Sequence, residues 1–541
     1  MMSDLCSEAQ PRLSPPRLLQ VWVLAKDFSR LLIFTGLLVV YALVFRNSRM
    51  ITSETCLSPW MFATAARSTW GILMLSQSVL TAVLLWRVNW RCGYRPGFPD
   101  LRVIVIPTIF VLAWPFSVYE YNYFVNQSHL ADRAGIVVLA LLSAWRPMFL
   151  GFFLTQLGIV IGHLNYPLSF SWTDKSPLID VLLLAQIYVF GARFSLWRSN
   201  HFLWGSIWVL AMHYLRPAIG KLEIGWLQHN EIENLVQGAI HQNSWLCFGV
   251  PEDVRTNIVM CVSVAGSVLM LFALLVELVP LMYFSSRLLM VTALASAAGM
   301  HIAIFASSGI FFWKWIVLDV VMIIAVLQIP RYATKKLFRL KHHAVFVLFL
   351  VTGCLLNPVV PTLAWFDAPV CQRFQIEIVG ESGRVYQAVP SQMAPFDLQF
   401  AQGRLFFADP DPMVVDCFGS CTSVDILSRT KTLTSEDGLT QLQAEFGERR
   451  FDTRQSHLFQ SLLMKFVLKD PSNRSLPVFD AILDPPQHIW TFPAANSALE
   501  VWNWQEPARE IVLRKVTAKH RSGQQKEIQD KVIMRLPTKG S

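Results

Sequence analysis

Hydrophobic and polar positions divide this chain into two parts. Up to about residue 365, long apolar runs alternate with short polar connectors, and beyond it the period shortens to two. A helix needs about 20 apolar residues to cross a bilayer. Runs of that kind occupy 31–46, 70–86, 102–119, 136–162, 178–192, 203–222, 257–284, 287–308, 309–328 and 344–365. The 136–162 run contains Arg146-Pro147. Proline breaks helix hydrogen bonding there and arginine is costly in hydrocarbon, so the run reads as two short helices or one broken helix.

After residue 366, alternation marks strands at RFQIEIVG (373–380), RVYQAVP (384–390), DLQFA (397–401), RLFFAD (404–409), HIWTF (488–492), REIVLRKVTA (509–518) and KVIMRLP (531–537). A helical stretch is expected at 453–469. The expected fold is thus a multi-pass α-helical membrane bundle of about ten spans, followed by a small β-rich extracytoplasmic domain. Its divisions are a cytoplasmic leader (1–30), the bundle (31–365) and the β-rich domain (366–541).

Charge sets the orientation. Arg12, Arg17, Lys26 and Arg30 precede the first span and put the N-terminus in the cytoplasm. Arg87, Arg91, Arg95 and Arg102 mark a second cytoplasmic loop, and Arg331, Lys335, Lys336, Arg339 and Lys341 the strongest one. Counting spans backward from 331–341 puts Lys221 and the C-terminal domain outside the cytoplasm. Counting forward gives the opposite answer after the fourth span. The two agree if 136–162 crosses twice or a stretch between 120 and 177 is re-entrant.

Composition supports the membrane reading. Charged residues make up 15% of the chain, against about 25% in soluble domains, and mean hydropathy is +0.42. The 19 Trp and 37 Phe suit aromatic belts in a plasma or inner membrane. Much of the net charge of +9 sits in short loops, so it points to orientation in a lipid bilayer rather than to nucleic acid. The sequence lacks a Walker loop, a dinucleotide fingerprint, H-E-x-x-H and G-x-S-x-G. These gaps point away from ATPases, dehydrogenases, zincins and typical serine hydrolases, and no metal or nucleotide is expected. Cys417 and Cys421, in DCFGSC, read as a small disulfide loop on the outer side.

One boundary stands out. HYLRPAIGKLEIGW (213–226) ends an apolar run with Lys221, Glu223 and Trp226. An ammonium and a carboxylate at the rim of hydrocarbon must be paired, snorkelling or functional. The plain reading is an interfacial lysine with an ion-pair partner and a belt tryptophan.

The company of this motif brings in a family. AIGKLEIGW (218–226), ELVPLMYFSSR (277–287) and His301 in AAGMHIAIF, followed by FFWKW (311–315), occur in order over residues 70–330. Together they resemble the HTTM family, the membrane domain shared by vitamin K-dependent γ-glutamyl carboxylase and many bacterial proteins. The resemblance implies a quinol-linked modification of an exported peptide or protein, with a reduced quinone of the vitamin K type as cofactor. In that chemistry an enzyme base deprotonates the hydroquinone and oxygen adds. The resulting alkoxide removes a glutamate γ-proton, carbon dioxide traps the carbanion, and the quinone leaves as an epoxide.

Lys221 matches the family's base. A lysine in a low-dielectric helix end can act neutral. Glu223 would orient it, and His129 (in NQSHLADR, 126–133) or His301 would assist. His213 and Trp226 are the candidate quinone-binding residues. Two departures are plain: Gly220 stands where the carboxylase has a second lysine, and the C-terminal domain is smaller than the carboxylase's outer region. The bland readings are interhelical hydrogen bonding for His301, packing for His213, and a helix-end ion pair for Glu277 and Arg287. Asp319 is expected to pair with Lys314 or with another helix. The alternative function is a non-catalytic membrane module whose outer domain binds or matures a partner protein.

Overall fold

A computed structural model describes residues 58, 60–118, 129–164, 175–194, 198–241, 250–282, 286–330, 363–389, 392, 405–416, 419–468, 486, 499–521 and 524–538. The protein is mostly helical, with a β-sheet in its C-terminal region. Its helices are α1 (Met61–Ala65), α2 (Thr69–Leu85), α3 (Arg102–Val118), α4 (Leu130–Trp145), α5 (Leu150–Leu164), α6 (Ser176–Arg193), α7 (Ser199–Glu223), α8 (Trp226–His229), α9 (Glu233–His241), α10 (Glu252–Leu278), α11 (Arg287–Ser308) and α12 (Trp313–Leu327).

Among the described residues, three helices are long and apolar enough to cross a membrane: α6, α10 and α11. Helices α2 and α3 and the 147–161 segment are apolar but shorter. The expected spans 31–46 and 344–365 lie outside the described residues. Helix α7 has 25 residues, but its polar side chains dilute its hydropathy. The most apolar part of α6 is 89% buried, whereas that of α10 is 22% buried. Helix α6 is therefore a central strut, and α10 presents a bare apolar flank on which Val264 is 90% exposed.

The 136–162 run is two helices. Pro147 forces Arg146 into an extended conformation (φ −137°, ψ 131°), and a 3-10 turn, Pro147–Phe149, leads into α5. Asp132, at the start of α4, accepts a 2.9 Å bond from Gln156, near the middle of α5 and about two turns past its start at the far end of the hairpin turn. The two helices therefore run antiparallel.

Hydrogen bonds fix which ends meet. Trp90 Nε1 donates to the Ser143 carbonyl (3.0 Å), Tyr188 Oη to that of Cys92 (3.2 Å), and Ser199 N to that of Gly93 (3.0 Å). Arg91, Arg95, Arg146 and Arg198 cluster with these turns, which we term the basic end. Arg287, opening α11, donates to the Ile329 carbonyl just beyond α12 (2.9 Å). Trp114 and Trp313 meet edge to face (5.6 Å) at the opposite end. That second end carries the C-terminal region.

This region holds strands β1 (Phe366–Asp367), β2 (Val370–Gly380), β3 (Val385–Ala388), β4 (Ser420–Cys421), β5 (Glu500–Val501), β6 (Ala508–Arg521) and β7 (Gln524–Pro537). Helices α13 (Val424–Thr432), α14 (Glu436–Phe446) and α15 (Thr453–Val467) accompany them. Five strands form a sheet in the order β5-β3-β2-β6-β7, antiparallel except for β3–β5, and β1 pairs with β4. Central strand β6 is buried on both faces, and its Lys515 is neutralised by the equally buried Asp409. Edge strand β7 carries Lys526, Glu527, Asp530, Lys531 and Arg535, charges that discourage edge-to-edge pairing. Helix α15 lays Phe459, Leu463 and Phe466 onto the sheet.

One strand expectation needs correction, and two helices were not expected. RLFFAD is a 3-10 turn, Phe406–Ala408, because all three of its apolar side chains are buried and no face alternates. Helices α13 and α14 fill a stretch for which the apolar pattern gave no element. The expected strands at 397–401 and 488–492 lie outside the described residues, as does Cys417 of the expected disulfide. Cys421 Sγ lies 3.8 Å from the Ser423 carbonyl.

The two parts meet on a shared apolar seam of Trp226, Met270, Phe366, Ala368 and Val370. Asn230 reads β1 in both directions: its Oδ1 accepts from Asp367 N (2.6 Å) and its Nδ2 donates to Asp367 Oδ2 (2.9 Å). Asn234 Nδ2 donates to the Asp367 carbonyl (2.9 Å). The segment after α7 supplies this joint through α8, Asn230 and α9.

Candidate functional site

Helix α7 carries the site. Pro217 removes the bond to the His213 carbonyl one turn below Lys221, which loosens the last turns. Gly225 then ends the helix with φ +71°, a conformation costly for other residues. This reversal brings Trp226 back over Lys221, whose Nζ lies 5.0 Å from the indole centroid. Trp226 is buried under the C-terminal domain and is not a belt residue at a lipid surface.

Lys221 pairs with Glu277 of α10, Nζ to Oε1 at 2.5 Å, with side-chain exposures of 16% and 9%. The sequence reading gave this role to Glu223. Residues i and i+2 point about 200° apart on a helix, so Glu223 faces outward and is exposed. Glu277 does not pair with Arg287, which instead binds the Leu327 and Ile329 carbonyls. Glu277 Oε2 is buried with no hydrogen-bond partner among the described residues. The Lys221 charge also acts on Asp367 and His301, which ties the pair to the domain joint and to the bundle core. Burial pushes the Asp367 carboxyl up to about 6, against the opposing pull of Asn230, Trp365 and Lys221.

Deeper in the bundle lies a second polar group. Tyr214 is seven residues before Lys221, two turns below and on the same face. Its hydroxyl donates to Asp319 Oδ2 of α12 (2.8 Å) and meets His301 Nε2 of α11 (3.1 Å). His213, eight residues before Lys221, is rotated about 80° from that face. It pairs instead with Asp180 of α6, Nε2 to Oδ2 at 2.9 Å. Trp315 packs against His301, Tyr214 and His213 at 5.0, 5.3 and 5.7 Å. Lys314 sits over the Trp313 ring (4.8 Å), while Asp319 takes Tyr214 as its partner. Of the sequence candidates, Lys221, Trp226 and His301 thus share one region. Glu277, Tyr214, Asp319 and Asp180 were not assigned there. Only Tyr214 carried a local signal, its heptad spacing from Lys221.

His129 lies in a different cluster. It precedes α4 with φ +45° and is buried, with Nδ1 3.8 Å from Asp132 Oδ2. Asp132 also accepts from Met61 N (2.8 Å) and Phe62 N (3.0 Å).

A cavity of about 660 Å³ opens between α3, α4 and α12, lined by Phe110, Trp114, Leu141, Trp313 and Ile316 among others. It is almost wholly apolar, and Lys221 does not line it. Among the described residues, no three His, Cys, Asp or Glu side chains are grouped to hold a metal. No family model, no curated protein and no solved structure matches this chain.

Proposed function

We propose that this protein is a membrane-embedded, carboxylase-like enzyme of the HTTM type, using a reduced quinone to modify an exported peptide or protein. The observation that carries the reading is the part-buried Lys221–Glu277 pair, held at a helix end beneath the joint with the C-terminal domain. Structural ion pairs also occur in membranes, but this one leaves an acceptor oxygen unused.

Membrane embedding is supported by the apolar flanks that the bundle leaves bare. Val264 and Val268 of α10, Leu288 of α11 and Val83 of α2 are all highly exposed, and a surface of this kind is unfavourable in water. In this reading α4 and α5 each cross the bilayer, the basic end faces the cytoplasm and the sheet lies outside, as positive charge in the connecting turns favours.

In this reading a quinol hydroxyl would approach the Lys221–Glu277 pair. Glu277 Oε2 can accept from a hydroxyl, and the Trp226 indole offers a flat neighbour. When bound with oxygen, the reduced quinone supplies the strong base that a glutamate γ-carbon requires. The chain's own part is proton handling. Passing a proton from Lys221 to Glu277 leaves a neutral amine facing a neutral carboxyl. The amine can then take a hydroxyl proton and become an ammonium again, while Glu277 holds the first proton as a neutral carboxyl.

The second reading is a non-catalytic module that anchors a partner-binding outer domain. It is favoured by the one feature that sits apart: the cavity between α3, α4 and α12 excludes Lys221. Quinol oxidation by the purified protein in detergent, with oxygen present, separates the two. We expect epoxide from menaquinol, ubiquinol or phylloquinol with the native chain and none with Lys221→Ala. Absence of turnover with all three quinols would favour the module.

A further inference from the structure

We infer that Asp319, Tyr214 and His301 form a two-ended proton relay through the bundle core. The inference rests on the proposed function only for its destination, the Lys221–Glu277 pair.

Three helices contribute one group each, and the hydrogen bonds run in series: Asp319 Oδ2, Tyr214 Oη, His301 Nε2. Both terminal atoms of the series, Asp319 Oδ1 and His301 Nδ1, are buried with no hydrogen-bond partner among the described residues. Buried polar atoms left without partners are uncommon and call for a physical reason. A polar pin that merely joins α7, α11 and α12 has no need of open termini. A chain that hands protons along needs one at each end.

The balance is simple. In the loaded state, the Asp319 carboxyl donates to Tyr214, the phenol donates to Nε2, and Nδ1 carries the imidazole proton. Asp319 gives its proton to Tyr214 as Tyr214 gives its own to Nε2, while Nδ1 releases its proton. A new proton enters at Asp319 Oδ1. One proton enters and one leaves, and no electrons are transferred. A turn of the carboxyl that brings its new proton to the Tyr214 side, rotation of the phenol O–H and return of the imidazole proton to Nδ1 reset the chain.

The surroundings suit this role. Trp315 and Phe312 stack against His301 at 5.0 and 5.4 Å, which excludes bulk water from its ring. The other titratable groups nearby are His213 with Asp180 on the far side of Trp315, and Lys221 with Glu277 two turns above Tyr214. Glu277 Oε2, which has no hydrogen-bond partner among the described residues, is the destination we assign to the proton leaving Nδ1.

The test is infrared difference spectroscopy on the full chain in lipid nanodiscs, switched from H2O to D2O, and it needs no quinol turnover. The relay predicts a carboxylic C=O band that is absent in Asp319→Asn. It also predicts that deuterium exchange of that band slows at least tenfold in Tyr214→Phe. His301→Gln, which keeps a hydrogen-bonding amide but cannot pass a proton, should slow it similarly. It serves as the second variant if Tyr214→Phe fails to fold. An Asp319-dependent band that exchanges at the native rate in the folded variants would overturn the relay, as would absence of the band. Either result would leave the assignment of Lys221 untouched, and a failure of quinol turnover would leave the relay testable.

Discussion

Replacing Glu277 by Gln should be among the most damaging single changes in the bundle. The native ammonium and carboxylate are 2.5 Å apart and mostly removed from solvent. Removing one partner of such a pair strands the other charge, at a cost of about 3–5 kcal/mol. The Lys221–Trp226 contact is already present in the native protein, so it does not offset that loss. Removing both charges is different in kind: Lys221→Met with Glu277→Leu swaps the pair for apolar groups of similar size, which is commonly neutral or stabilising. The assay is a double-mutant cycle on unfolding in mixed micelles, followed by tryptophan fluorescence. We expect each single variant to lose about 3 kcal/mol or more and the double variant to recover most of it. A coupling energy below about 0.5 kcal/mol would refute the reasoning and describe two independent, solvated charges.

Three further outcomes follow from other parts of the fold. Asp367 has its folded carboxyl held at about 6 against an ordinary 3.8, so the neutral form stabilises the joint at low pH. That contribution, about 3 kcal/mol, is complete below about pH 4 and lost as pH rises through about 6, and subtracting the pH–stability profile of Asp367→Asn should reveal it. Gly419→Ala should destabilise the β1–β4 ribbon by about 1–3 kcal/mol, since φ is +80° and a Cβ would lie 2.6 Å from the Ala368 and Val370 carbonyl oxygens; thermal melts would show it. Cys371 is buried and its thiol is pushed up by desolvation and by Asp367, so maleimide should label it only after denaturation.

Much of the helical half was legible because an apolar run bounded by charge or proline has few other ways to fold. Arg146-Pro147 announced the α4–α5 break. The sequence limits of α6, α7 and α11 fall within a few residues of the structure. Alternation found β2 and β6, whose long pairing makes period two visible. It failed at Phe406–Ala408, where every side chain is buried, and it passed over α13 and α14. Both of those helices carry cap signals, Ser423 and Ser435, each accepting from a first-turn N–H.

The site was legible in part. Lys221 stood out because a charge ending an apolar run is unusual. Its partner did not, because Glu277 is 56 residues away and only tertiary packing brings it near. The sequence reading chose His213 and Glu223, whereas the helix turn puts Tyr214 on the Lys221 face and directs both of them away from it.

The central claim is that the Lys221–Glu277 pair performs chemistry and does not merely hold helices together. The Lys221→Met/Glu277→Leu double variant separates these roles, because it should remain folded while lacking the base. The measurement is epoxide formation from menaquinol, ubiquinol and phylloquinol, native chain against double variant, at matched protein concentration and with unfolding curves recorded on the same sample. The account predicts a folded double variant with no epoxide above the protein-free control. A folded double variant that still forms epoxide at the native rate would contradict it.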